Sequence, residues 1–73
     1  MDRATLRHRL KDAESLVRRL EGNITLQRQM IATLHRGGHD AKAAEMFLKR
    51  LEARRAKHLA DRDRLFAALP TQF

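Results

Sequence analysis

The Gly37-Gly38 pair near the middle of the chain divides it into two long stretches without proline, and the only proline, Pro70, stands close to the end. Paired glycine and proline are the strongest local breakers of helices, so this punctuation predicts two long helices joined by one short turn. We expect a single domain, residues 1–73, with a helix over about 2–36, a turn over about 37–40 and a second helix over about 40–69.

The first stretch carries apolar residues at alternating steps of four and three, which is the spacing of a heptad seam. The seam consists of Leu6, Leu10, Ala13, Val17, Leu20, Ile24, Gln27, Ile31 and Leu34. A break at Gly22 is an alternative, since an interior glycine costs about 1 kcal/mol relative to alanine. The heptad phase is unchanged across Gly22 and therefore favours one helix, with Asp2 as N-cap and Gly37 as a left-handed C-cap.

The second stretch keeps this spacing but interrupts it with polar residues. Its stripe runs through Ala41, Ala44, Leu48, Leu51, Arg55, His58, Arg62, Leu65 and Leu69. Asp40 is the expected N-cap of this helix. In an antiparallel hairpin Arg55 falls beside Glu21, and Arg62 beside Glu14, so we expect two ion pairs that set the register of the seam.

A chain of 73 residues without cysteine has no disulfides to support it and can bury only about 60% of its surface. We therefore expect an all-α antiparallel hairpin that dimerises into a four-helix bundle, with polar Gln27 and His58 fixing register or oligomer order. A second contact surface is expected from Leu16, Met30, Phe47, Leu59 and Phe66. The full predicted seam or interface set is Leu16, Leu20, Ile24, Gln27, Met30, Ile31, Phe47, Leu48, Leu51, His58, Leu59 and Phe66.

The formal net charge of +7 lies wholly toward the chain termini and suggests an anionic partner. The candidate phosphate-binding residues are Arg3, Arg7, Lys11, Arg50, Arg54, Lys57 and Arg64. Because the chain has no Trp or Tyr to stack on bases, only backbone-type nucleic-acid binding is supported. The alternative interpretation is an ordinary solvated charged surface.

Other function classes find little support in the sequence. No Ser/His/Asp set, phosphate-binding glycine loop or paired catalytic carboxylates are present, so we expect no enzyme activity, cofactor or small-molecule substrate. His35, His39 and Asp40 flank the glycine turn, which separates the histidines and leaves only a weak zinc signal. No apolar run of 18 residues exists, so we expect a cytoplasmic protein without membrane association.

One set of short motifs extends over about residues 20–69: Gly22-Asn23-Ile24, Gln27, Gly38-His39-Asp40, Leu48, His58 and Arg62-Asp63-Arg64-Leu65. Together these motifs resemble a pattern in short bacterial helical-hairpin proteins of uncharacterised function. It implies a helical hairpin, and it implies no activity, cofactor or partner.

These observations predict a non-catalytic helical interaction module that self-associates through its heptad seams. Two alternatives stay open from the sequence. The first is a nucleic-acid backbone-binding protein that uses the basic terminal end. The second is a hairpin that pairs with a helix of a larger protein.

Overall fold

The computed structural model describes residues 2–70 and consists of two helices, α1 (Arg3–Arg36) and α2 (Lys42–Ala68), packed against each other. Cross-helix contacts pair Gln27 with Ala44 and Glu21 with Arg55, so the helices run antiparallel. The molecule measures 57 × 18 × 14 Å, the shape of a two-helix rod. The predicted all-α hairpin is thereby confirmed.

Asp2 is the N-cap of α1. Its carboxylate accepts a hydrogen bond from the backbone N–H of Thr5 at 2.7 Å, which satisfies one of the free donors of the first turn. This backbone hydrogen bond, supported by the Thr5 side chain, holds the pKa of Asp2 below its usual range. The stabilisation from the cap is therefore complete above the usual carboxyl range and is lost as pH falls through the lowered pKa.

The turn differs from the prediction in which glycine is left-handed. Gly37 has φ −84°, whereas Gly38 has φ +72°. The N–H of Gly38 donates to His35 and that of His39 donates to Leu34, which together form a Schellman motif. The left-handed residue of that motif lies one position beyond the C-cap, so Gly38 and not Gly37 takes this conformation.

The second helix begins later than expected. Ala41 occupies the N-cap position without a side-chain cap, and α2 starts at Lys42. Asp40 accepts a hydrogen bond from the Lys42 N–H at 2.9 Å, closing a local turn ahead of the helix. Side chains of Asp commonly bond two residues onward in this way, which displaces the predicted cap at Asp40 by one residue.

The core is a narrow seam between the two helices. Leu20, Ile24 and Leu51 form its centre, with Leu48 packed against them. The buried residues of α1 are Leu6, Ala13, Val17, Leu20, Ile24 and Gln27, all members of the predicted heptad seam. On α2 only Leu51 is buried, and no large side chain of residues 2–70 falls below 2% exposure. Two helices alone thus give a core only one side chain thick.

Helix α1 continues through Gly22 without a break. A Cβ atom placed on Gly22 would meet no heavy atom within 4 Å, so nothing in the hairpin requires glycine there. Gly38 is different, because its φ of +72° is a conformation that L-residues adopt only with strain.

We expect Gly22→Ala to raise the free energy of unfolding by about 1 kcal/mol, because alanine loses less backbone entropy in a helix interior. Gly38→Ala should lower it by about 1–2 kcal/mol, the cost of a left-handed alanine. Urea unfolding followed by circular dichroism at one protein concentration measures both. A destabilising Gly22→Ala would contradict a continuous, exposed helix at that position.

Candidate interaction surfaces

The seam divides the hairpin into two faces of different chemistry. We call one the paired face, because ion pairs cross it from helix to helix. Arg55 donates from both Nε and Nη2 to Glu21, the shorter distance being 2.8 Å, and Arg28 donates to Glu52 at 3.0 Å. These four side chains surround one shallow hollow together with Ile24 and Thr25. Long basic side chains thereby cover the apolar seam on this side.

The second predicted seam ion pair does not form as expected. Arg62 donates to its neighbour Asp63 at 3.0 Å and not to Glu14, although all three residues line the same hollow of the paired face. Both carboxylates belong to residues that line the hollow beside this partly exposed arginine. Arg62 is therefore paired with a residue of its own helix, and this contact replaces the predicted cross-helix pair with Glu14.

The opposite side, which we call the open face, has a hollow near the chain termini with an apolar floor. Leu6, Ala13, Leu16, Leu65 and Ala68 provide that floor, and Arg9, Asp12, His58, Asp61 and Arg64 surround it. His58 Nδ1 lies 3.9 Å from Asp61 Oδ2, and Arg64 donates to the same carboxylate. The predicted seam residue His58 therefore lies half-buried at the edge of the open face.

Exposed apolar side chains extend the open face toward the turn. Met30 lies two heptads after Leu16, and Phe47 lies two heptads before Asp61. Leu16 and Asp61 line the open-face hollow, so Met30 and Phe47 project from the same side of the hairpin. Leu16 is 36% exposed, Phe47 49% and Met30 55%. The open face consequently carries exposed apolar side chains from the hollow to the turn, with polar and charged residues between them.

The five residues of the predicted second contact surface lie on two different faces of the hairpin. Leu16, Met30 and Phe47 lie on the open face. Phe66 lines a hollow of the paired face with Leu10 and Arg62, and Leu59 precedes it by one heptad. The sequence stripe was wider than a simple seam, and such width places residues on both flanks rather than on one.

The predicted phosphate-binding set is divided in the same way and does not form one patch. Arg50, Arg54, Lys57 and Arg64 follow the open-face side of α2, with Arg64 bound to Asp61. Arg3 lies one heptad before Leu10, Arg7 one heptad before Glu14, and Lys11 two heptads before Thr25. Since Leu10, Glu14 and Thr25 line hollows of the paired face, these three cations lie on that face as well.

Gln27 is 9% exposed and is the polar residue of the seam. Its amide donates to the carbonyl oxygen of Ala44 on the other helix at 3.0 Å. A buried side chain that binds the backbone of the other helix restricts sliding of the two helices, which fits the predicted register role. The remaining predicted residue, Ile31, is half-buried beside it along α1.

Within residues 2–70 there is neither a cluster of metal ligands nor a helix that could cross a membrane. His35 Nε2 lies 3.8 Å from Glu45 Oε1 across the turn. In the described part of the chain no three His, Asp or Glu side chains converge as metal ligands. Neither α1 nor α2 contains an apolar stretch that could cross a bilayer.

Some surface residues were missed by sequence reasoning. The ion pair of Arg28 with Glu52 was not expected, nor was the exposure of Leu26 and Met46, which are 65% and 54% exposed. Arg28 follows Glu21 by one heptad, whereas Glu52 precedes Arg55 by three residues. Extending the register of the Glu21–Arg55 pair therefore places Arg28 beside Leu48 and gives no signal for this ion pair. No family model, curated protein or solved structure matches this chain.

The burial pattern predicts that apolar packing, not the ion pairs, holds the hairpin together. We expect Leu51→Ala to lower the free energy of unfolding by about 2–3 kcal/mol. Arg55→Ala, four residues away on α2, should cost no more than about 1 kcal/mol, because its pair with Glu21 is largely solvated. Denaturant unfolding at one protein concentration compares them, and equal losses would contradict this account.

Proposed function

We propose that this protein is a non-catalytic helical interaction module whose open face packs on a second copy to form a four-helix bundle. The observation that carries the proposal is the incomplete core. No large side chain of residues 2–70 is fully buried, while Leu16, Met30 and Phe47 stay exposed along one face. Packing a second hairpin on this face would bury these side chains between four helices.

Surface area supports the same assembly. The chain exposes 5785 Å², whereas a compact monomer of its mass exposes about 4,700 Å². The excess is similar to the roughly 800 Å² that each partner buries in a stable protein interface. A second hairpin packed on this face would therefore bring the area exposed per chain toward that of a compact monomer.

The paired face is less suited to this role. Its cross-helix ion pairs already cover the apolar seam, so a second hairpin would find less apolar surface there. The alternative of nucleic-acid binding through one basic terminal patch loses support, because the seven candidate cations occupy two faces. A helix of a larger protein would use the same open face, and its predicted signature is a hairpin that stays monomeric alone. The expected cytoplasmic location remains a prediction.

Phe47→Asp should weaken the dimer by roughly 100-fold or more, since two buried phenylalanines each contribute about 1.5–3 kcal/mol. Phe66→Asp is the matched control, because Phe66 is 69% exposed on the paired face. Sedimentation equilibrium measures both dissociation constants, with circular dichroism to verify that the helices are retained.

The wild-type chain should sediment at twice 8.5 kDa at micromolar concentration. A monomer at every concentration would refute self-association. Dimers that resist Phe47→Asp but are dissociated by Phe66→Asp would refute the assignment of the interface to the open face.

A further inference from the structure

Three basic residues at mid-length of the hairpin lie on the open face, and we call them the central cations. Arg19 follows Asp12 by one heptad, Arg54 precedes Asp61 by one, and Lys57 precedes Arg64 by one. Because Asp12, Asp61 and Arg64 line the open-face hollow, their heptad repeats project to the same side. All three central cations are exposed.

The central cations have no carboxylate partner within residues 2–70. The acidic residues of the open-face hollow are Asp12 and Asp61, which lie nearer the chain termini. Asp12 Oδ2 lies 3.5 Å from His8 Nε2, and the Asp61 carboxylate is paired with Arg64. Positive charge in the middle of the open face is therefore left unbalanced.

A two-fold dimer through this face brings like charges together. Arg19 lies at the middle of α1 (Arg3–Arg36), and Arg54 and Lys57 flank the middle of α2 (Lys42–Ala68). Residues at mid-length meet the mid-length of the partner whether the second hairpin runs parallel or antiparallel. Six cations thus gather at the boundary between two copies and oppose association through Coulomb repulsion.

From this charge arrangement, and resting on the proposed dimer, we propose that the boundary between the two copies binds a chain of phosphate groups. Arginine guanidinium binds phosphate through paired hydrogen bonds, and a phosphate chain would neutralise cations from both copies at once. A phosphate backbone is narrow enough to follow the groove between packed helices, whereas another helix, about 10 Å wide, is not. Binding would be independent of base sequence, because the chain has no Trp or Tyr for stacking.

Dimerisation and phosphate binding are then linked. A ligand that binds the dimer better than the monomer strengthens the dimer, and the dimer in turn binds the ligand more tightly. The test measures the dimer dissociation constant by sedimentation equilibrium with absorbance or fluorescent-label detection. The added ligands are a mixed-sequence 20-nucleotide RNA, linear inorganic polyphosphate of equal charge, and poly-glutamate of equal charge.

We expect RNA, polyphosphate or both to strengthen the wild-type dimer by roughly tenfold or more, and poly-glutamate to have a much smaller effect. An effect of RNA alone would assign the phosphate chain to nucleic acid, and an effect of polyphosphate alone to a free phosphate chain. Equal strengthening by poly-glutamate would overturn a phosphate site.

The decisive variant is Arg54→Gln/Lys57→Gln, which removes two central cations. It should dimerise more tightly than wild type without any ligand and should lose the response to phosphate chains. The matched control is Arg7→Gln/Lys11→Gln, which removes two cations from the paired face and should keep both wild-type properties. Equal behaviour of the two variants would overturn the proposal.

The two proposals fail in different ways. A protein that is monomeric with and without every ligand would refute the proposed dimer. A dimer that forms readily and ignores all phosphate chains would leave the interaction module intact and refute the phosphate site.

Discussion

The seam of Leu20, Ile24 and Leu51 is the contact on which the rest of the structure depends. Two helices can present only one stripe each to the other, so a seam one side chain thick is the most that this hairpin can build. That geometry explains why Leu51 is the one buried residue of α2 and why phenylalanine and methionine side chains stay exposed. Completing the core needs apolar surface from outside the hairpin.

The distribution of charge gives the two faces different roles. Ion pairs such as Arg55 with Glu21 join the helices on the paired face, where the arginine stems cover the seam and the charged ends remain in water. The open face has exposed apolar side chains, and its central cations have no carboxylate partner within residues 2–70. The net charge of +7 therefore has its main effect at the middle of the open face, where positive charge is not balanced by carboxylates.

Much of the hairpin could be predicted from the sequence because the heptad phase of α1 is strict. Every buried residue of α1 belongs to the predicted stripe, and the antiparallel register placed Arg55 beside Glu21. Choices between near-equal neighbours could not be predicted. Either glycine of the turn tolerates a left-handed conformation, and two acidic residues line the same hollow as Arg62. The sequence also does not reveal on which flank of the seam Phe66 lies.

The central claim is that the open face is the surface between two copies, and inter-spin distances test it most directly. The chain has no cysteine, so a nitroxide can be attached to Asn23→Cys, one heptad after Leu16 on the open face, or to Thr25→Cys on the paired face. Each variant carries one label, so every measured distance is between copies. The distance between labels at Asn23→Cys should be shorter than the distance between labels at Thr25→Cys by ~10–20 Å, one to two helix diameters. A shorter distance for Thr25→Cys, or no distance at either position at high protein concentration, would contradict the central claim.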